Sequence, residues 1–319
     1  MRVLVVGAGA VGGYFGGRLL EAGRDVTFLV RPRRAAELAS SGLTIRSQFG
    51  DVTLPKPATI LSENIRDPFD LIVLSCKAYD LEGAMDSFAA AVGPHTVIVP
   101  LLNGMRHLDT LDARFGRERV LGGWCMIAAT LNDRREVVHM NEIHLLAFGE
   151  RPGRVRGGNS DDALSERVQT IADLMKGARF ESQAVADAVA GMWSKWVFLA
   201  PLAAGTCLMR ASIGDIVASP GGADFMLGLS DECAAIAAAH GYPVSPDLLE
   251  RSHTRLTGAG STLTASMLRD LQANAPIEAD HIVGDLLRRG GEAQGERSLL
   301  AIAYTHLKAY EAGRARSAS

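Results

Sequence analysis

An apolar run, Val3-Leu4-Val5-Val6, opens directly into Gly7-Ala8-Gly9-Ala10-Val11-Gly12-Gly13, and this junction restricts the fold more than anything else in the chain. A glycine-rich turn between a strand and a helix asks three things of its glycines. Gly7 permits the sharp turn, Gly9 lets the backbone come close to a pyrophosphate, and Gly12 lets the helix pack tightly on the strand. The phosphates then sit on the exposed amides of Ala10, Val11 and Gly12, at the positive end of a helix expected over residues 11–21. The motif alone is weak. A β-branched run before it and a helical pattern after it favour a dinucleotide site over a structural tight turn.

The next segment bears on which dinucleotide. Residues 25–30 (Asp-Val-Thr-Phe-Leu-Val) read as a second strand. An NAD site usually places an acid at the end of that strand to hold the ribose hydroxyls. Here the position is Arg31, followed by Pro32-Arg33-Arg34. A guanidinium pairs with a phosphate through forked, charge-assisted bonds of about 1.5–3 kcal/mol each. That points to NADP, with Arg31 as the leading ligand. The same residues also read as a solvated basic loop, since Arg33 and Arg34 begin a helix-like run.

Size and charge narrow the class. A length of 319 residues fits two domains, and an apolar share of 47% supplies two substantial cores. The net charge of −3 argues against nucleic acid or a membrane surface as the main partner. Met1-Arg2 runs straight into a strand, so no secretory signal is expected. The longest apolar stretch, residues 196–209, is too short to span a bilayer and contains Pro201 and Gly205. Cys76, Cys125, Cys207 and Cys233 are scattered without metal-ligand spacing, as expected of reduced thiols in a cytoplasmic protein. His139 and His144 flank Glu142 on strand-like sequence without a third ligand, so no metal is expected.

Strand and helix signals alternate through the first half, which predicts an α/β domain with a doubly wound parallel sheet. Strands are expected at 70–75, 96–99 and 120–130, and helices near 81–92 and 105–115. Residues 137–140 and 143–148 suggest a hairpin. The Gly-, Arg- and Asp-rich stretch 150–162 is a composition break but not the domain boundary, because a helix over 164–175 and a short strand at 178–181 return to the sheet. Beyond about residue 185 helical patterns dominate, at 188–202, 224–240, 246–256, 263–272, 278–289 and 296–310. The expectation is a Rossmann-type domain over 1–184 and an all-helical domain over 185–319, with a frayed tail from Gly313. The helical domain could bury its apolar surface internally or against a second copy, as a homodimer.

Several polar residues stand where open α/β sheets bind ligands, at strand C-terminal ends. Lys77, in Ser75-Cys76-Lys77-Ala78, follows one buried strand. Asn103, in Asn103-Gly104-Met105, follows the next and could equally cap a helix. In the helical half, Lys195 lies among apolar neighbours in Met192-Trp193-Ser194-Lys195-Trp196-Val197. It is either a proton donor or a snorkelling lysine. Ser266-Met267-Leu268-Arg269-Asp270 and Glu278-Ala279-Asp280 follow, the latter after a Pro276 break.

Taken in order, these segments resemble the ketopantoate reductase (2-dehydropantoate 2-reductase) family over nearly the whole chain. The resemblance implies an NADP-dependent oxidoreductase that moves hydride from NADPH to C2 of a 2-oxo acid, with 2-dehydropantoate to pantoate, in pantothenate biosynthesis, as the leading reaction. By the family's pattern Lys195 is the general acid and Glu278 the carboxylate that places substrate and lysine. Ser266 is a substrate-binding hydroxyl, Asn103 binds substrate as well as cofactor, Lys77 lines the cofactor and substrate edge with it, and Glu278 also borders the cofactor. The match has departures. Pantothenate-pathway members often carry asparagines one and two turns after the lysine, and this chain has Leu199 and Ala203. A later asparagine is replaced by Val283. These changes favour an alternative, a paralogous reductase of a less polar 2-oxo acid or ketone. A non-catalytic NADPH-binding regulator is a further alternative, disfavoured by the presence of both Lys195 and Glu278.

Overall fold

In the computed structural model, residues 1–151, 163–291 and 298–318 are described. Two compact units result, Met1–Leu102 with His107–Val189, and Asn103–Arg106 with Ala190–Ser319.

The first unit is organised by a parallel sheet of five strands: β1 (Arg2–Val6), β2 (Asp25–Leu29), β5 (Ala58–Ile60), β6 (Leu71–Leu74) and β7 (Val97–Pro100). The order across the sheet is β5-β2-β1-β6-β7, so the crossover direction reverses beside β1, at the ends where dinucleotides bind. β1, β6 and β7 are almost continuous apolar runs because both faces are covered. Helices α1 (Ala10–Glu21), α2 (Pro32–Ser41), α3 (Leu81–Phe88) and α4 (Arg106–Phe115) follow strands of this sheet.

A second sheet contains β3 (Leu43–Arg46), β4 (Val52–Leu54), β8 (Gly122–Leu131), β9 (Val137–Gly149) and β10 (Glu181–Val185). β8 runs antiparallel along one edge of β9, while β3 and β10 pair in parallel with opposite ends of the other edge. Helix α5 (Glu166–Met175) precedes β10 and is capped by Ser165, whose Oγ accepts from Val168 N.

The glycines of α1 explain how it fits between the two sheets. A Cβ on Gly16 would meet Phe28 and Val5 of the parallel sheet, at 2.7 and 2.9 Å. One on Gly13 would meet Val137 at 2.9 Å, and one on Gly17 would meet Ile45 at 2.8 Å, both on the second sheet. The helix is sparse in side chains on two faces because a sheet lies against each.

The second unit is helical: α6 (Ala188–Met209), α7 (Ile213–Val217), α8 (Gly222–Ala239), α9 (Pro246–Leu256), α10 (Ser266–Gln272), α11 (Asp285–Gly290) and α12 (Leu299–Ala318). α6 is apolar almost throughout, as a core helix must be. A π-helical stretch, Asp280–Gly284, precedes α11. Glu232 on α8 caps α12, accepting from Leu299 N, Leu300 N and Ser298 Oγ at 2.8–3.0 Å. Among the described residues no helix is long and apolar enough to cross a membrane.

Several local expectations require correction. Residues 137–149 form one strand rather than a hairpin, and the hairpin partner is β8. Asn141 and Glu142 look like a turn, but Asn141 Oδ1 accepts from Ala128 N at 2.9 Å beside the β8 irregularity, carrying the strand through. The short strand expected at 178–181 lies at Glu181–Val185 instead, because Phe180 turns inward against Phe15. α6 runs on past 202 to Met209, with Pro201 inside it. The helix expected over 263–272 starts only at Ser266. The tail from Gly313 is helical rather than frayed: Arg314 Nε donates to Asn274 O and Tyr310 OH to Ala275 O. Most of the 150–162 composition break, and the expected helix start at 296, lie outside the described residues.

Candidate active site

The cofactor corner of the first unit begins where β1 ends. Gly7 has φ +92°, and its amide donates to Leu29 O at 3.0 Å. Gly9 is the N-cap of α1, and a Cβ there would meet nothing within 4 Å. A Cβ on Gly12 would lie 2.2 Å from both Gly7 O and Ser75 Oγ. Gly9 therefore faces open space and Gly12 is locked against β1 and β6, the division of labour a dinucleotide turn demands. Ser75 Oγ donates to Val6 O at 2.9 Å, holding the strand ends together. No acidic side chain occupies the first turn of α1, so the amides of Ala10, Val11 and Gly12 present an uncompensated positive end. These residues fit a dinucleotide pyrophosphate.

The three arginines after β2 separate by role. Arg31 is the N-cap of α2 and its side chain is 81% exposed, with NH2 3.0 Å from Asp80 Oδ1. Arg33 is exposed and pairs with Glu37. Arg34 is nearly buried; its Nε donates to Ala8 O at 3.1 Å and its NH1 to Glu37. That bond, with smaller help from Arg135 and Arg33, holds the Glu37 carboxyl below its ordinary pKa. Arg34 thus braces the glycine turn, while Arg31 and Arg33 both face outward. Lys77 sits just past β6, half-buried, at the start of a single turn over Ala78–Asp80.

In the second unit three segments converge. Lys195 lies on α6, and its Nζ donates to Asn103 Oδ1 at 2.8 Å. Asn103 sits on the turn after β7, three residues before α4 begins, and this bond gives its side chain a partner 92 residues away. Gly104 beside it has φ +74°, and its backbone passes so close to His281 O that a Cβ would lie 2.2 Å from it. Trp196, next to Lys195, donates Nε1 to Ile282 O at 2.8 Å. Turn 103–105, α6 and the 278–282 segment are thereby fastened to one another.

Glu278 lies on that third segment and is only 5% exposed. Its carbonyl accepts from His281 N and Ile282 N, opening the π-helical stretch. π-helical turns often mark functional sites, because the extra residue re-aims neighbouring side chains. Burial lowers the pKa of His281, and Arg106 adds to this, while Glu278, Asp285 and Asp280 oppose it. Ser266 opens α10, which is tied to α6 by the bond from Ala265 N to Thr206 Oγ1, about three turns beyond Lys195. A place for Ser266 beside Lys195 rests on the sequence alone.

Leu199 and Ala203 follow Lys195 by one and two turns on the same face of α6. Leu199 is half-buried, whereas Ala203 and Val283 are fully buried. Asp80 and Trp196 are the residues sequence reasoning missed. Asp80 before an apolar helix reads as a cap, and Trp196 as core. Among the described residues no group of three or more His, Cys, Asp or Glu is placed to hold a metal ion.

A Rossmann-type parallel sheet with a glycine turn, followed by a helical region carrying a lysine–amide pair, defines a class, the dinucleotide-dependent oxidoreductases. The profile for ketopantoate reductase PanE/ApbA matches residues 3–153, and its C-terminal counterpart matches residues 187–311. The uncharacterized oxidoreductase YkpB of Bacillus subtilis (strain 168) is 34% identical over 312 residues, 98% of this chain and 99% of that one. The 2-dehydropantoate 2-reductase of Archaeoglobus fulgidus is 28% identical over 291 residues, 91% of each chain. The crystal structure of 2-dehydropantoate 2-reductase from Geobacter metallireducens GS-15 superimposes with a TM-score of 0.84 at 25% identity, covering 97% of this chain and 99% of that one. The chain belongs to the ketopantoate reductase family. It is an oxidoreductase of the kind that acts on CH–OH donors and binds NAD(P)H.

Proposed function

We propose that this protein uses NADPH to reduce a 2-oxo acid to the 2-hydroxy acid, with 2-dehydropantoate as the leading substrate. Residues 1–184 would bind the cofactor and 185–319 would supply the acid. The bond from Lys195 Nζ to Asn103 Oδ1 carries the reading, because it aims a partly buried ammonium. The bound cofactor supplies the hydride, and the remaining steps fall to this chain.

Lysine is protonated at neutral pH, so Lys195 can hand a proton to the carbonyl oxygen as negative charge builds there. Asn103 accepts from the same ammonium and fixes its direction; Glu278 and Ser266 are proposed to place the carboxylate and side chain of the substrate. Gly7, Gly9, Ala10, Val11 and Gly12 receive the pyrophosphate, Arg31 the 2′-phosphate, and Lys77, Asn103 and Glu278 border the cofactor.

A second reading has a specific observation behind it. Leu199, one turn from Lys195, is apolar and half-exposed, so it favours a 2-oxo acid or ketone with an apolar side chain. Steady-state NADPH oxidation with 2-dehydropantoate, set beside branched and aromatic 2-oxo acids, separates the two. A kcat/KM above about 10⁴ M⁻¹s⁻¹ on 2-dehydropantoate supports a role in pantothenate synthesis in the cytoplasm. A value orders of magnitude lower, with an apolar 2-oxo acid turned over efficiently, supports the second reading. Failure on every 2-oxo acid and on apolar ketones overturns both.

A further inference from the structure

At the cofactor corner one side chain is not used as its position dictates. Asp80 is the N-cap of α3, where a carboxylate ordinarily accepts from amides of the first turn. It makes no capping bond. Its Oδ1 lies instead 3.0 Å from NH2 of Arg31, a residue 49 positions earlier in the chain. Both side chains stand in water, 81% and 41% exposed, and pairs of that kind add little to stability. The pair matters for what approaches Arg31.

We propose that Asp80 sets the cofactor preference of this chain, opposing the 2′-phosphate of NADPH and offering an acceptor to the free 2′-hydroxyl of NADH. The proposal rests on the reading of Arg31 as the 2′-phosphate ligand. A 2′-phosphate is an anion, so it must draw Arg31 away from Asp80 and then lie near an uncompensated carboxylate. A ribose hydroxyl is a neutral donor, and acceptance of its proton by a carboxylate is how NAD sites recognise it. NAD sites of that type carry the acid at the end of the second strand. In this chain Arg31 stands there, and the acid arrives beside it from the turn after β6. The corner therefore holds recognition elements for both nucleotides, and the enzyme discriminates between them only weakly.

The test is the dissociation constants of NADPH and NADH, measured by fluorescence titration on the intact protein and on Asp80→Asn, Arg31→Ala and the double variant. Asparagine keeps the volume while removing the charge. Asp80→Asn is expected to tighten NADPH about three- to tenfold and to weaken NADH, with the melting temperature unchanged. In the Arg31→Ala background its effect on NADPH should shrink, since interacting neighbours are not additive. An unchanged NADPH-to-NADH ratio in Asp80→Asn, with Arg31→Ala still selectively weakening NADPH, overturns the proposal and spares the Arg31 reading. Equal weakening of both nucleotides by Arg31→Ala removes the Arg31 reading and the proposal with it.

Discussion

At the scale of single residues, the proposed chemistry converges on Lys195 and the two polar groups argued to serve it. Asn103 accepts from its ammonium, and Glu278 lies buried on the segment that Trp196 and Gly104 pin in place. Lys195→Ala should lower kcat by at least about a hundredfold while leaving the NADPH dissociation constant nearly unchanged, as for a lost general acid. Turnover at the original rate would remove Lys195 from the chemistry. Glu278→Gln should impair use of the 2-oxo acid and leave cofactor binding intact; unchanged kcat and KM would exclude it. Lys195 was legible in the sequence as a lone charge in an apolar helix. Its pairing with Asn103 was not, because no local pattern reports a contact across 92 positions. Asp80 escaped for a related reason: its local role as a cap is plausible, and its actual partner is distant in sequence.

At the scale of elements, the parallel strands were legible because a strand covered on both faces is a continuous apolar run, as in Leu71–Leu74 and Val97–Pro100. β3, β4 and β5 were not, since each is three or four residues long and only β3 has buried positions. The glycines of α1 offer a sharp contrast to measure. Gly12→Ala places a methyl group against the Gly7 carbonyl, which cannot yield without moving the turn. It should cost about 2–4 kcal/mol in urea unfolding and abolish NADPH binding. Gly17→Ala meets only the ends of the Ile45 and Leu43 side chains. The gain of about 1 kcal/mol in helix propensity should offset that crowding, leaving stability nearly unchanged. Equal losses in the two variants would contradict the placement of α1.

At the scale of the whole molecule, three half-buried histidines contribute to the response to acid. His144, His281 and His306 are all held below the ordinary imidazole pKa of 6.5, in each case chiefly by burial. Nearby arginines add to the effect: Arg18 for His144, Arg106 for His281, and Arg210 for His306. The unfolded chain therefore takes up protons first as pH falls. The contribution of these groups to stability is complete above about pH 6.5 and declines as pH drops through the interval below it. Thermal unfolding between pH 7.5 and 5.5 should show a falling midpoint, and a rising one would contradict the assignment. Light scattering separates the two ways the helical domain could cover its apolar surface: burial within one chain gives a mass near 33.9 kDa, and burial against a second copy gives about twice that.

The helix beneath the cofactor also has a consequence for descent. Gly12, Gly13 and Gly16 have room for a hydrogen atom and little else, because sheets press on α1 from two sides. A lineage carrying this fold can hardly rewrite that floor. Arg31 and Asp80 stand in solvent at loop ends, where exchange of a side chain disturbs no packing. On the proposed roles of that pair, nucleotide choice can drift by one or two substitutions at the rim while the scaffold beneath stays frozen.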